Sequence, residues 1–179
     1  MVYVMLGTGF EEVEALAPVD LLRRAGVDVQ TVGLTDRLIY GGHGIGVQAD
    51  ITIDEMDLTS MDMIVLPGGL RGVASIRASS QTLEAVRFAW ENDCFVAAIC
   101  AGPTVLADLG ITDGRKATCY PGQTGNMGPA LLEERAAVRD GKLITGASAG
   151  CAVEFGLALV DALKGAEMAE TIRKQIVIR

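Results

Sequence analysis

The chain has 179 residues, half of them hydrophobic and 21% charged, with a formal net charge of −8. That is enough apolar material for one domain of ordinary size, and the negative charge argues against nucleic acid or an anionic membrane as the main partner. Aromatics make up only 4%, so the core must be Val, Ile, Leu and Ala, which favours a layered α/β protein over an aromatic-rich β-sandwich.

Residues 2–6 read as a buried strand, ended by Gly7-Thr-Gly9. A helix is expected over 11–25, with acids in its first turn and Arg23-Arg24 in its last, both matched to the helix dipole. Pro18 inside it predicts a kink or a local loosening. Gly26 closes the helix and 27–34 reads as a second strand, so the opening is a βαβ unit and the heart of the sheet is parallel. Residues 38–40 and 45–47 flank Gly41-Gly-His-Gly44 and predict a small hairpin or excursion at the sheet edge. A strand or turn over 51–56 and a buried strand over 63–66 lead to Pro67-Gly-Gly69, where glycines let backbone N–H groups approach a ligand closely. An amphipathic helix is expected over 80–92. Residues 95–99 suit a strand buried on both faces, and Pro103 suits the first turn of the helix that follows over 104–109. Beyond it the pattern predicts a short strand at 116–120, a glycine-rich loop at 122–128 and a short helix at 129–134. Asp140-Gly141 between 136–139 and 142–145 is the strongest hairpin signal in the chain. A small-residue loop at 146–150, helices over 151–163 and 166–174, and a terminal strand or extended tail at 176–178 complete the reading. The expectation is one domain over 1–179: a flavodoxin-like three-layer α/β/α sandwich, mostly parallel, with an added antiparallel hairpin.

The first cation is Arg23, residues 2–6 are too short for a signal-peptide core, and the uncharged span 94–107 is 14 residues, with none longer than the 16 of 117–132, below the roughly 18 needed to cross a bilayer. A cytoplasmic protein is expected, with no membrane partner. Cys94, Cys100, Cys119 and Cys151 form no Cys-x-x-Cys pair and read as free thiols. His43 is the single histidine, so no zinc or other metal site is expected.

Cys100 lies where a buried strand turns into a helix, the logic that displays a nucleophile in an elbow, and a helix N-terminus favours a thiolate. A free cysteine is also commonly a small buried hydrophobe, and that alternative stands beside the functional one. In an open parallel sheet the ligand site lies beyond the carboxyl ends of the strands. Residues 7–14, Pro67-Gly-Gly69 and Cys100-Ala101 meet there, and 146–150, with Ala149, can join them. Glu11, Glu12 and Glu14 are then the candidate partners of the thiol. Glu11 and Glu14 share a helix face while Glu12 points elsewhere. Any of them can equally be a solvated first-turn acid. A buried carboxyl beside a thiol has a raised pKa and can shuttle a proton, and the Gly69 and Ala101 amides can form an oxyanion hole.

Four motifs, in order and at compatible spacing, carry a resemblance: Gly9-Phe-Glu-Glu-Val-Glu14 with Pro18-Val-Asp20 and Arg23-Arg-Ala-Gly26; Val65-Leu-Pro-Gly-Gly69; Ala97-Ala-Ile-Cys-Ala-Gly-Pro103; and Glu154-Phe155. The chain resembles the ThiJ/PfpI superfamily, with its class I glutamine amidotransferase-like domain, in particular the DJ-one branch. That resemblance implies a flavodoxin-like fold, a homodimer, Cys100 as the oxidisable nucleophile, Glu14 as its protonated partner, and Gly69 and Ala101 as main-chain donors, with Gly68, Tyr120, His43 and Ala149 around the pocket. It implies a cofactor-free glyoxalase III or deglycase-like activity on methylglyoxal-type α-oxoaldehydes, a small carbonyl substrate. The alternative is a redox sensor or chaperone working through cysteine sulfinate. Departures from the family pattern matter. Ala101 stands where protease-type members carry histidine, so a Cys-His protease is not expected, and no histidine follows His43, as glutamine amidotransferases require. Tyr120 stands where a histidine often sits, and with an ordinary pKa near 10 it is a poor base at neutral pH. His43 occupies an excursion that in related chains carries an arginine near the dimer interface.

Overall fold

The computed structural model describes residues 1–178. The chain opens as β1 (Val2–Leu6), α1 (Glu12–Arg24) and β2 (Val29–Gly33). A small hairpin of β3 (Leu38–Tyr40) and β4 (Gly46–Gln48) stands apart from the main sheet, and β5 (Ile51–Thr52) returns to its edge. Then come β6 (Met63–Leu66), α2 (Leu70–Ala78), α3 (Ser80–Glu91), β7 (Phe95–Ile99) and α4 (Pro103–Asp108). The last third holds β8 (Lys116–Ala117), β9 (Leu131–Leu132), β10 (Ala137–Asp140), β11 (Leu143–Gly146), α5 (Ala152–Lys164) and α6 (Ala166–Gln175).

The seven-stranded sheet runs β10-β11-β7-β6-β1-β2-β5. Every pairing in it is parallel except β10 with β11, the hairpin turned by Asp140-Gly141. Strand alternation divides the core into two layers. Val2, Val4, Leu6, Val65, Ala97 and Ile99 face α1, α5 and α6. Tyr3, Met5, Ile64, Leu66, Val96 and Ala98 face α2, α3 and α4. The result is the flavodoxin-like α/β/α sandwich. Because α1 covers one face and α2 the other, the chain changes direction between β1 and β6, and the crevice of such a sheet opens at the carboxyl ends of those strands.

Pro18 does not break α1, which is continuous from Glu12 to Arg24. The proline is buried where α1 crosses α5 at Gly156: a Cβ there would lie 2.7 Å from Leu21 Cδ1 and 3.1 Å from the Pro18 Cα. Gly156→Val is therefore expected to cost about 1–3 kcal/mol through overpacking, read as a lower urea midpoint with an unchanged slope.

Two local expectations fail, and one helix was not foreseen. Residues 129–134 are not a helix: Leu131 and Leu132 form β9, parallel to β8, with the Leu131 N–H on the Arg115 carbonyl and the Glu133 N–H on the Ala117 carbonyl, each at 2.8 Å. Both leucines are exposed; six residues with no face to bury do not repay helix nucleation. Residues 176–178 form no strand. They close α6, with Val177 at φ +58° and the Val177 N–H on the Lys174 carbonyl at 3.2 Å, which satisfies a carbonyl the helix leaves open. Finally, α2 carried no helix expectation. It starts at Gly69, without a side-chain cap, and buries only Gly72, Val73 and Ile76.

Candidate active site

β7, β6 and β1 are neighbours, so their carboxyl ends bring Cys100, Pro67-Gly-Gly69 and the start of α1 together. Cys100 has φ +63°, the left-handed region that a non-glycine residue occupies at a cost of about 1–3 kcal/mol. Two backbone bonds hold it there. Its N–H donates to the Gly146 carbonyl at 2.9 Å, and its carbonyl accepts from the Tyr120 N–H at 2.8 Å. The side chain projects into the crevice half-buried, and the Ala101 and Gly69 N–H groups are directed at the sulfur.

Glu14 comes to the same point from α1 and is 1% exposed. Its Oε2 accepts the Gly68 N–H at 2.9 Å. Its Oε1 is buried with no hydrogen-bond partner; the Cys100 thiol lies against the carboxyl, close enough to shift it but outside hydrogen-bonding geometry. Glu11 caps the helix, its Oε2 accepting the Glu14 N–H at 2.7 Å. Burial pushes Glu14 up to about 6, the thiol and the Gly68 N–H pulling it back and the Glu11 charge adding to the rise.

The thiol does not behave as its helix N-terminus predicts. Burial, then the Glu14 charge, pushes Cys100 up to about 12, and the Ala101 and Gly69 amides lower it by less. The physical reason is that Cys100 shares its desolvated site with a carboxyl. The two groups therefore titrate as a pair. Between about 6 and about 12 they hold one proton and one negative charge. Thiol with carboxylate and thiolate with carboxylic acid differ only in where that proton sits.

The other residues singled out in the sequence fall at different distances from this pair. Gly68 is in contact: a Cβ on it would lie 2.3 Å from Glu14 Oε2 and 2.7 Å from the Cys100 Cβ. Tyr120 meets Cys100 through its backbone, with its ring exposed. Ala149 begins a single 3-10 turn, Ala149–Cys151, beyond β11. His43 is tied to Glu12 instead, its Nδ1 2.7 Å from Glu12 Oε2 and its backbone N–H on Oε1 at 2.7 Å. Sequence reasoning passed over Glu12 because it points away from the thiol. It is nonetheless 4% exposed and fastens the Gly41–Gly44 excursion to α1. The Gly41-Gly-His string was the available signal, since chain lacking side chains can be pinned by an acid through its N–H groups. Glu11, Glu12 and His43 bring polar atoms within 4.8 Å of one another, but they are satisfied mainly among themselves and by the Glu14 N–H. Burial also pushes the Cys94 and Cys119 thiols up. A cavity of about 630 Å³ lies beside the site between Cys119, Pro121, Leu132, Ala147 and Cys151, and neither Cys100 nor Glu14 lines it.

The family model described as DJ-1/PfpI matches residues 1–162. The chain belongs to the DJ-1/PfpI family. Protein dj-1beta of Drosophila melanogaster is 33% identical over 98% of this chain and 95% of its own. The crystal structure of that fly protein superposes with a TM-score of 0.94 at 31% identity, covering 99% of this chain and 97% of the other. Deglycase PfpI of Pyrococcus furiosus is 35% identical over 76% of this chain and 82% of its own. Oxidised DJ-1 of Toxoplasma gondii also superposes at 0.94, with 30% identity over 98% and 97% of the two chains. The DJ-1/PfpI family thus includes a protein named a deglycase. No helix among the described residues is long and apolar enough to cross a membrane.

Proposed function

We propose that this DJ-1/PfpI member is a cysteine-dependent, cofactor-free enzyme acting on methylglyoxal-type α-oxoaldehydes or their early adducts. The observation that carries the reading is the buried, unpartnered Oε1 of Glu14 beside Cys100. With Oε2 occupied by the Gly68 N–H, Oε1 is the atom that takes the thiol proton. The thiolate adds to the aldehyde carbon, Glu14 gives the thiol proton to the carbonyl oxygen, and a hemithioacetal forms with Glu14 again a carboxylate. Glu14 then removes the proton from that carbon and returns it to the neighbouring one through an enediol. The former aldehyde carbon is oxidised to a thioester as the ketone is reduced, so no external oxidant is needed. Water hydrolyses the thioester to a 2-hydroxy acid and frees the thiol. The Gly69 and Ala101 amides hold the negative charge, first on sulfur and then on oxygen. Tyr120 has no role as a base in this scheme.

The chain is proposed to work as one domain in a cytoplasmic homodimer. Support for the dimer comes from the exposed apolar groups Val13 and Leu16 of α1 and Tyr40 and Ile45 beside the excursion, which Glu12 fastens to α1.

The test is lactate formation from methylglyoxal by the purified protein, without glutathione or metal, beside Cys100→Ser. Lactate from the wild type and none from the variant is the expected result; lactate from the variant sinks the reading. A second reading has its own support in the two amides that converge on the sulfur, which suit a sulfinate as well as an oxyanion. Here peroxide oxidises Cys100 and the oxidised form signals stress. Peptide mass spectrometry under mild peroxide decides it: preference for Cys100 favours it, and uniform oxidation of the four thiols defeats it.

A further inference from the structure

Glu11 holds a position that capping alone does not explain. Its N–H donates to the Gly68 carbonyl at 3.1 Å while Glu14 accepts the Gly68 N–H, so both acids are tied to the same residue of the β6 loop. Its own Oε2 is fixed on the Glu14 N–H at 2.7 Å, one helical turn before Glu14. The Glu11 charge raises Glu14, whereas the charge that leads in raising Cys100 is that of Glu14 itself. The groups facing Glu14 are Cys100 from beyond β7, Gly68 from the β6 loop and Glu11 from its own helix, with no cation among those that shift it. Around Glu11 stand Glu12 and His43, which are paired with each other.

A fixed negative charge that bears on the carboxyl more than on the sulfur penalises carboxylate more than thiolate. It therefore moves the one shared proton off sulfur. We propose that Glu11 is a positioning residue of this site: its carboxylate drives the shared proton from Cys100 onto Glu14 and so sets how much thiolate the resting protein carries. The proposal rests on the Cys100–Glu14 pairing argued under the preceding heading.

The test follows the ultraviolet absorbance of the Cys100 thiolate, each protein minus its Cys100→Ser counterpart, and the rate of Cys100 alkylation by iodoacetamide, both across the neutral pH range. Two matched pairs are compared: wild type with Glu11→Gln, and Glu11→Asp with Glu11→Asn. Asp and Asn are both strong N-caps of nearly the same shape, so each pair differs in charge and little else, and either pair suffices if one variant of the other does not fold. In each pair the amide is expected to carry about threefold less thiolate at neutral pH, the size of half a pKa unit, and its acid limb is expected to move to lower pH because Glu14 ionises more readily. Equal thiolate and equal limbs within a folded pair overturn the proposal. So does an equal fall in Glu11→Asp and Glu11→Asn from wild type, which would show that cap geometry matters and charge does not. Neither readout uses a substrate, so failure to form lactate would defeat the enzymatic reading and leave this result intact.

Discussion

Glu14→Gln is expected to lower lactate formation at least about 100-fold, the usual size of a lost general acid–base group, while making the protein more stable at neutral pH. The amide keeps an oxygen for the Gly68 N–H and places an NH₂ where Oε1 lies against Cys100. It can donate to the sulfur but cannot take a proton and give it back. Cys100 should therefore remain oxidisable by peroxide while turnover is lost, and this separates the two readings of the site. The stability effect has a definite sign. Burial raises Glu14 from an ordinary 4.5 to about 6, so the folded state binds more protons than the unfolded state between those values. Stability falls as pH rises through that window, by about 2 kcal/mol in order of magnitude. A glutamine has no charge to bury, so the variant should lack that fall. Urea unfolding on either side of the window, beside turnover, checks both halves. In the wild type, turnover should fall as pH drops below about 6, where the pair acquires its second proton. A variant that turns over normally removes Glu14 from the chemistry.

Gly68→Ala should inactivate the protein almost as completely, from a residue with no side chain. Its Cβ would lie 2.3 Å from Glu14 Oε2, 2.7 Å from the Cys100 Cβ and 3.1 Å from the Ile99 carbonyl. The last two belong to the elbow, which its backbone bonds hold in place. The carboxyl is the end of a side chain and is what moves. Displaced by about an ångström, it loses the Gly68 N–H and its alignment with the sulfur, and misplacement on that scale costs about 100-fold. The fold should survive with a loss of about 1–3 kcal/mol from overpacking. Turnover within about threefold of wild type, the equivalent of half a pKa unit, would show that the crevice has room the static geometry denies it.

The turn at Cys100 is legible in the sequence because its parts are local: an apolar strand, a cysteine, small residues, then Pro103 at the start of α4. The hairpin at Asp140-Gly141 and the opening βαβ unit are legible for the same reason. The state of the thiol is not. Local sequence points to a helix N-terminus and a depressed pKa, whereas burial and a carboxyl 86 positions earlier in the chain push it up. Glu12 and Glu14 illustrate the same gap. Both are first-turn acids of one helix and both are buried, yet only the fold shows that one faces a thiol and the other a glycine-rich excursion. At Leu131-Leu132 the local reading fails outright, because two backbone bonds to residues around β8 outweigh the helical preference of six residues.

The way Cys100 is fastened bears on when the protein acquires its chemistry. Synthesis proceeds from the N-terminus, so β7 and its cysteine emerge before Tyr120 and Gly146, the two partners that hold the elbow. A nascent chain, or one that has shed β11 from its place beside β7, has nothing to keep Cys100 in a left-handed conformation. Its thiol is then an ordinary one. The pairing of Cys100 with Glu14 is thus the property of a finished sheet, formed when the last central strand docks beside β7 and lost at the first local opening there, so that incomplete copies carry an ordinary thiol in place of the pair.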